Sequence, residues 1–235
     1  MIIGVIGGNG VAATNLLCEI IETKVTASGA LHDQDHPEMI VWQATHVPSR
    51  SMYLEGSGPN WIPDYVDIAT KLKMFGCNLG CMCCNTAHYA IDEIQEKSGL
   101  EFINLLEEVV AKSKKTGLKR FEMLCSDGAR KFDIYGPVFA RDFPDAEIVY
   151  PSAERQKLVT KVICAVKSRD RFLHEGDPNS PKVLLQELIQ NASAPVILGC
   201  TDLRVAFAPD MLIDGKVAVD SLECLADGIL TRVNH

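Results

Sequence analysis

Two cysteines sit in matching settings about half the chain apart: Cys84 in Cys84-Asn85-Thr86-Ala87-His88, and Cys200 in Gly199-Cys200-Thr201-Asp202-Leu203. Each follows an apolar run that reads as a buried strand, and each precedes an Asn or Thr able to cap a helix. A thiol at each of two strand-to-helix turns suits two-base proton transfer. One group removes a proton from one face of a carbon, and its twin returns a proton to the other face. A single buried cysteine would carry no such reading, because free Cys commonly packs as a small hydrophobe. Asn85, Thr86 and His88 crowd polar groups behind Cys84, and a helix N-terminus would stabilise a thiolate there.

Other residues admit chemistry less directly. Cys77, Cys81, Cys83 and Cys84 are dense enough to suggest a metal site. Adjacent strand residues point to opposite faces, however, and no second Cys-x-x-Cys pair accompanies them, so Cys77, Cys81 and Cys83 read as strand packing and no metal is expected. Gly8-Asn9-Gly10-Val11-Ala12-Ala13 has the Gly-x-Gly-x-x-Ala form of a dinucleotide turn. The second strand ends in Ala44-Thr45-His46 without the acidic residue a ribose would need, so a turn presenting backbone N–H groups to a small anion fits better. Arg50 follows that strand in a loop expected to face a cleft, where a guanidinium could pair with a carboxylate. Lys167 is expected on a helix starting near Ser152. His88 could pair with Cys84 as a nucleophile's base, or serve in capping or packing.

The elements that must position these groups alternate between short apolar runs and helix-period segments, the pattern of an α/β fold with parallel strands. Ile2–Ile6 reads as a strand, then a glycine turn, then a helix over about Val11–Thr26; Ile40–Ala44 is a second strand. A helix over Tyr65–Phe75 ends at Gly76, the strand 79–83 delivers Cys84, and a helix is expected over about Ala87–Lys97. The basic stretch 112–120 is a candidate domain junction. Beyond it the pattern restarts: Phe121–Cys125 leads into Ser126-Asp127-Gly128 as Ile2–Ile6 leads into Gly7-Gly8-Asn9. About 75 residues past each turn comes one of the two cysteines. Ser180 and Pro181 read as the N-cap and first position of a further helix, and Val196–Leu198 as the strand carrying Cys200. Two similar halves, each supplying a thiol, would place the site in the cleft between them.

The chain has 235 residues, 47% hydrophobic and 23% charged, with a formal net charge of −8. The acidic balance argues against a nucleic-acid or anionic-membrane binder, while leaving room for a small anion held by one Arg or Lys. No apolar stretch reaches the length of a membrane span. The N-terminus lacks a basic n-region, and nine cysteines set mostly in apolar segments suit reduced thiols, so a cytoplasmic protein is expected.

Taken together, Cys84-Asn85-Thr86-Ala87-His88, Leu198-Gly199-Cys200-Thr201-Asp202-Leu203 and the opening Gly7-Gly8-Asn9-Gly10 with Ala13-Thr14 resemble the cofactor-independent aspartate/glutamate racemase family over essentially the whole chain. The glutamate racemases of cell-wall synthesis usually carry Ser in place of His88 and His in place of Asp202, so the resemblance is closer to the aspartate racemase branch. It implies two pseudo-symmetric α/β domains, each a short, mostly parallel sheet flanked by helices, with the active site in the cleft. The expected division is 1–113 plus 208–235 for the first domain and 114–207 for the second. It further implies a homodimer and no cofactor. Cys84 and Cys200 would be catalytic. Arg50 aligns with the arginine that binds the substrate's side-chain carboxylate, and Lys167 with the lysine that assists it. Asn85, Thr86 and Thr201 correspond to positions around the α-carboxylate, Ser126 to a threonine opening the second half, and Gly10 to the N-terminal glycine turn. The activity implied is L-/D-aspartate interconversion. Alternatives are a racemase acting on glutamate, a related cysteine-dependent diacid isomerase or decarboxylase, and a catalytically silent amino-acid-binding protein.

Overall fold

Ile2–Gly7 is apolar throughout because it is buried on both faces, the condition of a central strand in a parallel sheet. It forms β1 of a computed structural model that describes residues 1–174, 176–207 and 216–233. The first half continues through α1 (Val11–Ala27), β2 (Glu38–Gln43), α2 (Arg50–Glu55), α3 (Ile62–Met74), β3 (Leu79–Met82), α4 (Ile91–Ser98) and α5 (Leu105–Lys115). The second comprises β4 (Arg120–Leu124), α6 (Asp127–Lys131), α7 (Gly136–Asp142), β5 (Glu147–Val149), α8 (Ala153–Val166), α9 (Pro181–Gln190), β6 (Val196–Leu198) and α10 (Thr201–Ala206). It is followed by β7 (Val217–Asp220) and α11 (Ser221–Val233).

The two sheets are built alike. In the first the order is β2-β1-β3, in the second β5-β4-β6-β7, and every strand pair is parallel. Each half therefore opens on a central strand, β1 or β4, flanked on one side by its second strand and on the other by a strand that ends at a cysteine. Ile3 pairs with Leu79 across β1 and β3, and Glu122 with Val196 across β4 and β6. This is the α/β arrangement of two parallel-sheet halves that the sequence implies.

One core joins the halves. Ile3, Leu17 and Val109 from the first half pack with Phe121, Met123 and Tyr135 from the second, and Leu225 and Ile229 of α11 close the cluster. Two outer cores, around Trp61 and Tyr65 and around Val159 and Leu185, each belong to one half. Truncating a fully buried member such as Leu225 to Ala would cost about 2–5 kcal/mol. Within the C-terminal segment, β7 pairs with β6 and so extends the second sheet, whereas α11 lies on α1 and α5. The strand goes where an open ladder can satisfy its backbone groups, and the amphipathic helix goes where an apolar groove remains. Residues 208–215, at the boundary expected between the domains, lie outside the described residues.

One local expectation changes. The helix expected over 87–97 is split into a 3-10 segment, Asn85–Ala90, and α4. The His88 ring takes the Cys84 carbonyl that an α-helical N–H of residue 88 would use, and the Ala87 N–H takes it in a tighter turn at 3.2 Å. The basic stretch is in part the last turn of α5, where Lys112, Lys114 and Lys115 complement the helix dipole. Gly76 adopts φ 93 after α3, the left-handed conformation a helix-ending glycine supplies.

Candidate active site

Cys84 and Cys200 share one backbone conformation as well as one topological position. Each is extended (φ −159, ψ 114 and φ −141, ψ 126) at the position that caps the following helix. Asn85 and Thr201, expected as caps, are instead the first residues inside those helices. A thiol thus stands at the position a capping side chain usually takes, although neither thiol makes a capping hydrogen bond. Both thiols line one cavity of about 310 Å³ between the halves.

Burial pushes the Cys200 thiol up to about 12, with the Asp202 carboxylate adding to the shift and Lys167 opposing it. Cys200 therefore holds its proton in the resting site. Arg50 is buried, and its Nη1 donates to the Pro48 carbonyl at 2.7 Å. Burial opposes its charge, but the neighbouring Cys84 and Tyr65 outweigh that, and Arg50 remains a cation beside Cys84. Its Nε has no hydrogen-bond partner among the described residues.

Lys167 is the residue that ends α8 rather than one within it, which lets its side chain reach into the cleft. Its Nζ pairs with Asp202 Oδ2 at 2.9 Å, Lys167 being half-exposed and Asp202 buried. Burial pushes the Asp202 carboxyl up, against the pull of Lys167 and Arg50.

The remaining sequence-predicted residues divide by where their polar atoms point. Thr86 Oγ1 and Ser126 Oγ lie 3.0 Å apart across the cleft, and Ser126 also caps α6 by accepting from the Ala129 N–H. Thr201 Oγ1 donates to the Cys83 carbonyl at 3.3 Å. The Asn85 amide donates to Ser221 Oγ at 3.1 Å, while its carbonyl accepts from the Tyr135 hydroxyl. Its side chain is thus committed to holding the halves together, although the residue lines the cavity. Gly10 lies outside the cysteine cavity, in a neighbouring one of about 500 Å³ that shares Asn9, Ser49, Arg50, Lys167 and Asp202 with it.

His88 is not a base for Cys84. Its Nδ1 bonds the Cys84 carbonyl at 2.9 Å, and its Nε2 accepts from the Leu105 N–H at 3.1 Å, so both nitrogens are used. Burial lowers its pKa to about 4, which keeps the ring neutral. It positions Cys84 through the backbone.

Cys81 and Cys83 belong to the shared core and Cys77 to that of the first half. At the glycine turn, Gly8 adopts φ 80 and a Cβ there would lie 2.6 Å from the Ala44 nitrogen, so the turn is shaped by close approach to the end of β2. Sequence reasoning left Asp202 out of the site, since an acidic residue in a helix's first turn is ordinary dipole complement. The same holds for Asn9, whose amide bonds the Tyr65 hydroxyl. The signals available for Asp202 were its position two residues past a thiol already under suspicion and its place in a motif that carries the family resemblance.

Comparison with known proteins places this architecture. The profile of the Asp/Glu/Hydantoin racemase family matches residues 3–227. The chain is 24% identical over 225 residues to the broad specificity amino-acid racemase RacX of Bacillus subtilis, covering 95% of this chain and 94% of that protein. Its fold is similar to that of Picrophilus torridus aspartate racemase, with a TM-score of 0.80 and 24% identity over 99% of this chain and 94% of that one. It is also similar to that of glutamate racemase isoform RacE1 from Bacillus anthracis, with a TM-score of 0.67 and 16% identity over 100% and 82%. With its paired parallel sheets and a family match spanning nearly its whole length, the chain belongs to the Asp/Glu/hydantoin racemase family and is an isomerase.

Proposed function

We propose that this protein interconverts L- and D-aspartate by two-base proton transfer between Cys84 and Cys200, without pyridoxal phosphate. The observation that carries the reading is the placement of both thiols, one from each half, on a single cavity whose wall also holds Arg50 and Lys167. A Cα between two thiols is what inversion needs, and two cations suit a substrate with two carboxylates.

One cysteine, as thiolate, takes the Cα proton: its S–H bond forms as the C–H bond breaks, and the electron pair passes into the α-carboxylate. The other thiol gives its proton to the opposite face and is left as thiolate. The roles of the two thiols exchange with the direction of the reaction. Helix-end N–H groups and the Thr86 and Ser126 hydroxyls meet the negative charge that builds on the carboxylate, and exclusion of water strengthens those contacts.

The name of the Bacillus subtilis relative supports a wider range of amino acids as a second reading. Nine free cysteines support a reducing, cytoplasmic setting, and the family resemblance supports a homodimer. No helix of the described residues is long and apolar enough to cross a membrane.

The test is to replace Cys84 or Cys200 by Ser and follow Cα hydrogen exchange in D₂O apart from racemisation, with aspartate, glutamate and alanine as substrates. Each variant should lose racemisation while retaining at most exchange on one enantiomer. Full racemisation by either single variant would sink the two-base scheme.

A further inference from the structure

The geometry points to Asp202 as the residue that receives the substrate's α-ammonium, and so as the group that makes this cavity select an amino acid over a plain dicarboxylate. The inference rests on the racemase reading for the identity of the substrate, but not for its physical basis.

Three observations converge on it. Asp202 is 2% exposed, and one of its oxygens, Oδ2, is held by Lys167 at 2.9 Å. The other, Oδ1, is buried without a hydrogen-bond partner among the described residues. A buried carboxylate oxygen left in that state costs free energy that a donor from a ligand would recover. Second, Asp202 lines both the cysteine cavity and its neighbour, so it stands where the two meet. The other carboxylates on the cysteine cavity are less buried and already engaged: Glu55 accepts from Ser51 at 2.6 Å and Asp127 from Thr160 at 2.7 Å.

Third, a glycine is what lets Oδ1 take this position. A Cβ on Gly10 would lie 2.1 Å from Asp202 Oδ1. A zwitterionic dicarboxylate brings one positive group into a wall that already holds Arg50 and Lys167. That group needs an anion, and Asp202 is the buried one. An ammonium bound at Oδ1 would hold Cα within about 4 Å of that oxygen, on the cavity that Cys84 and Cys200 also line.

The experiment measures calorimetric binding of L-aspartate and of succinate, which has the same two carboxylates and no ammonium, to the full chain, to Asp202→Asn and to Gly10→Ala. Racemisation is assayed in parallel. Asp202→Asn should weaken aspartate by about 10- to 100-fold, as for loss of a charged hydrogen bond, while succinate changes by less than about 3-fold or tightens because Lys167 is released. Gly10→Ala, which displaces the carboxylate without removing it, should weaken aspartate more than succinate and serves if Asp202→Asn does not fold. Equal weakening of both ligands in the folded variants, or unchanged aspartate affinity, overturns the assignment, as does a wild-type chain that binds neither ligand. A wild-type chain that binds aspartate through Asp202 but leaves its Cα proton unexchanged would sink the racemase reading and leave this one standing.

Discussion

Thr201 Oγ1 donates to the Cys83 carbonyl at 3.3 Å, so the residue after one thiol grips the residue before the other. With the Thr86–Ser126 contact and the Asn85–Ser221 bond, this tie sets how far apart the two cysteine turns stand.

Thr201→Val keeps the side-chain volume and removes the hydroxyl. Leaving the Cys83 carbonyl without that donor should cost about 1–2 kcal/mol and lower the melting temperature by a few degrees. Turnover should fall more steeply than stability, because proton transfer depends on the spacing of the thiols. Calorimetric melting set beside kcat checks this; a kcat unchanged in a destabilised variant would separate the tie from catalysis.

Cys200, protonated at rest, should resist alkylation. With iodoacetamide at pH 8, the exposed Cys164 should be modified first, and Cys200 at least about 100-fold more slowly. Peptide mass spectrometry over a time course reads both sites. Rapid labelling of Cys200 would mean that the resting site holds a thiolate there.

His88 should make stability pH-dependent. Its pKa is about 4 in the folded chain and near 6.5 when unfolded, so between those values the unfolded chain binds more protons. Stability is then fully present above about pH 6.5 and falls as pH drops toward 4, by up to about 3 kcal/mol. Urea midpoints measured across that range should slope in the parent and flatten in His88→Gln; parallel slopes would remove His88 as the cause.

Arg50→Lys retains the charge but loses the planar fork and its hold on the Pro48 carbonyl. KM for a dicarboxylic amino acid should rise by about 10- to 100-fold, with a smaller change in kcat. Steady-state kinetics on aspartate decide it, and an unchanged KM would take Arg50 out of carboxylate binding.

Much of the fold was legible because local signals and tertiary structure agree. Strands β1, β3 and β6 are apolar runs buried in parallel sheets, β4 is apolar apart from Arg120 and Glu122, and Ser180-Pro181 begins α9 as its composition implies. β5 escaped notice because it is only three residues, one exposed and two half-buried, and its strand character comes from pairing with β4 rather than from its own pattern. The short α2 and α6 escaped for a similar reason, each being set by a serine cap and by contact with the other.

By itself the sequence determined the two strand–cysteine–helix turns, their repetition in two α/β halves and the family to which those motifs point, because strand periodicity, turn chemistry and motif spacing are properties of neighbouring residues. Only the tertiary structure decided which polar atoms face the cavity. Asn85 binds Ser221 and Tyr135, His88 binds Leu105, and Lys167 binds Asp202, partners between 17 and 136 residues apart. A side chain with several available partners takes the one that packing brings within hydrogen-bond reach, and in a chain of this length that partner leaves no mark on the local sequence.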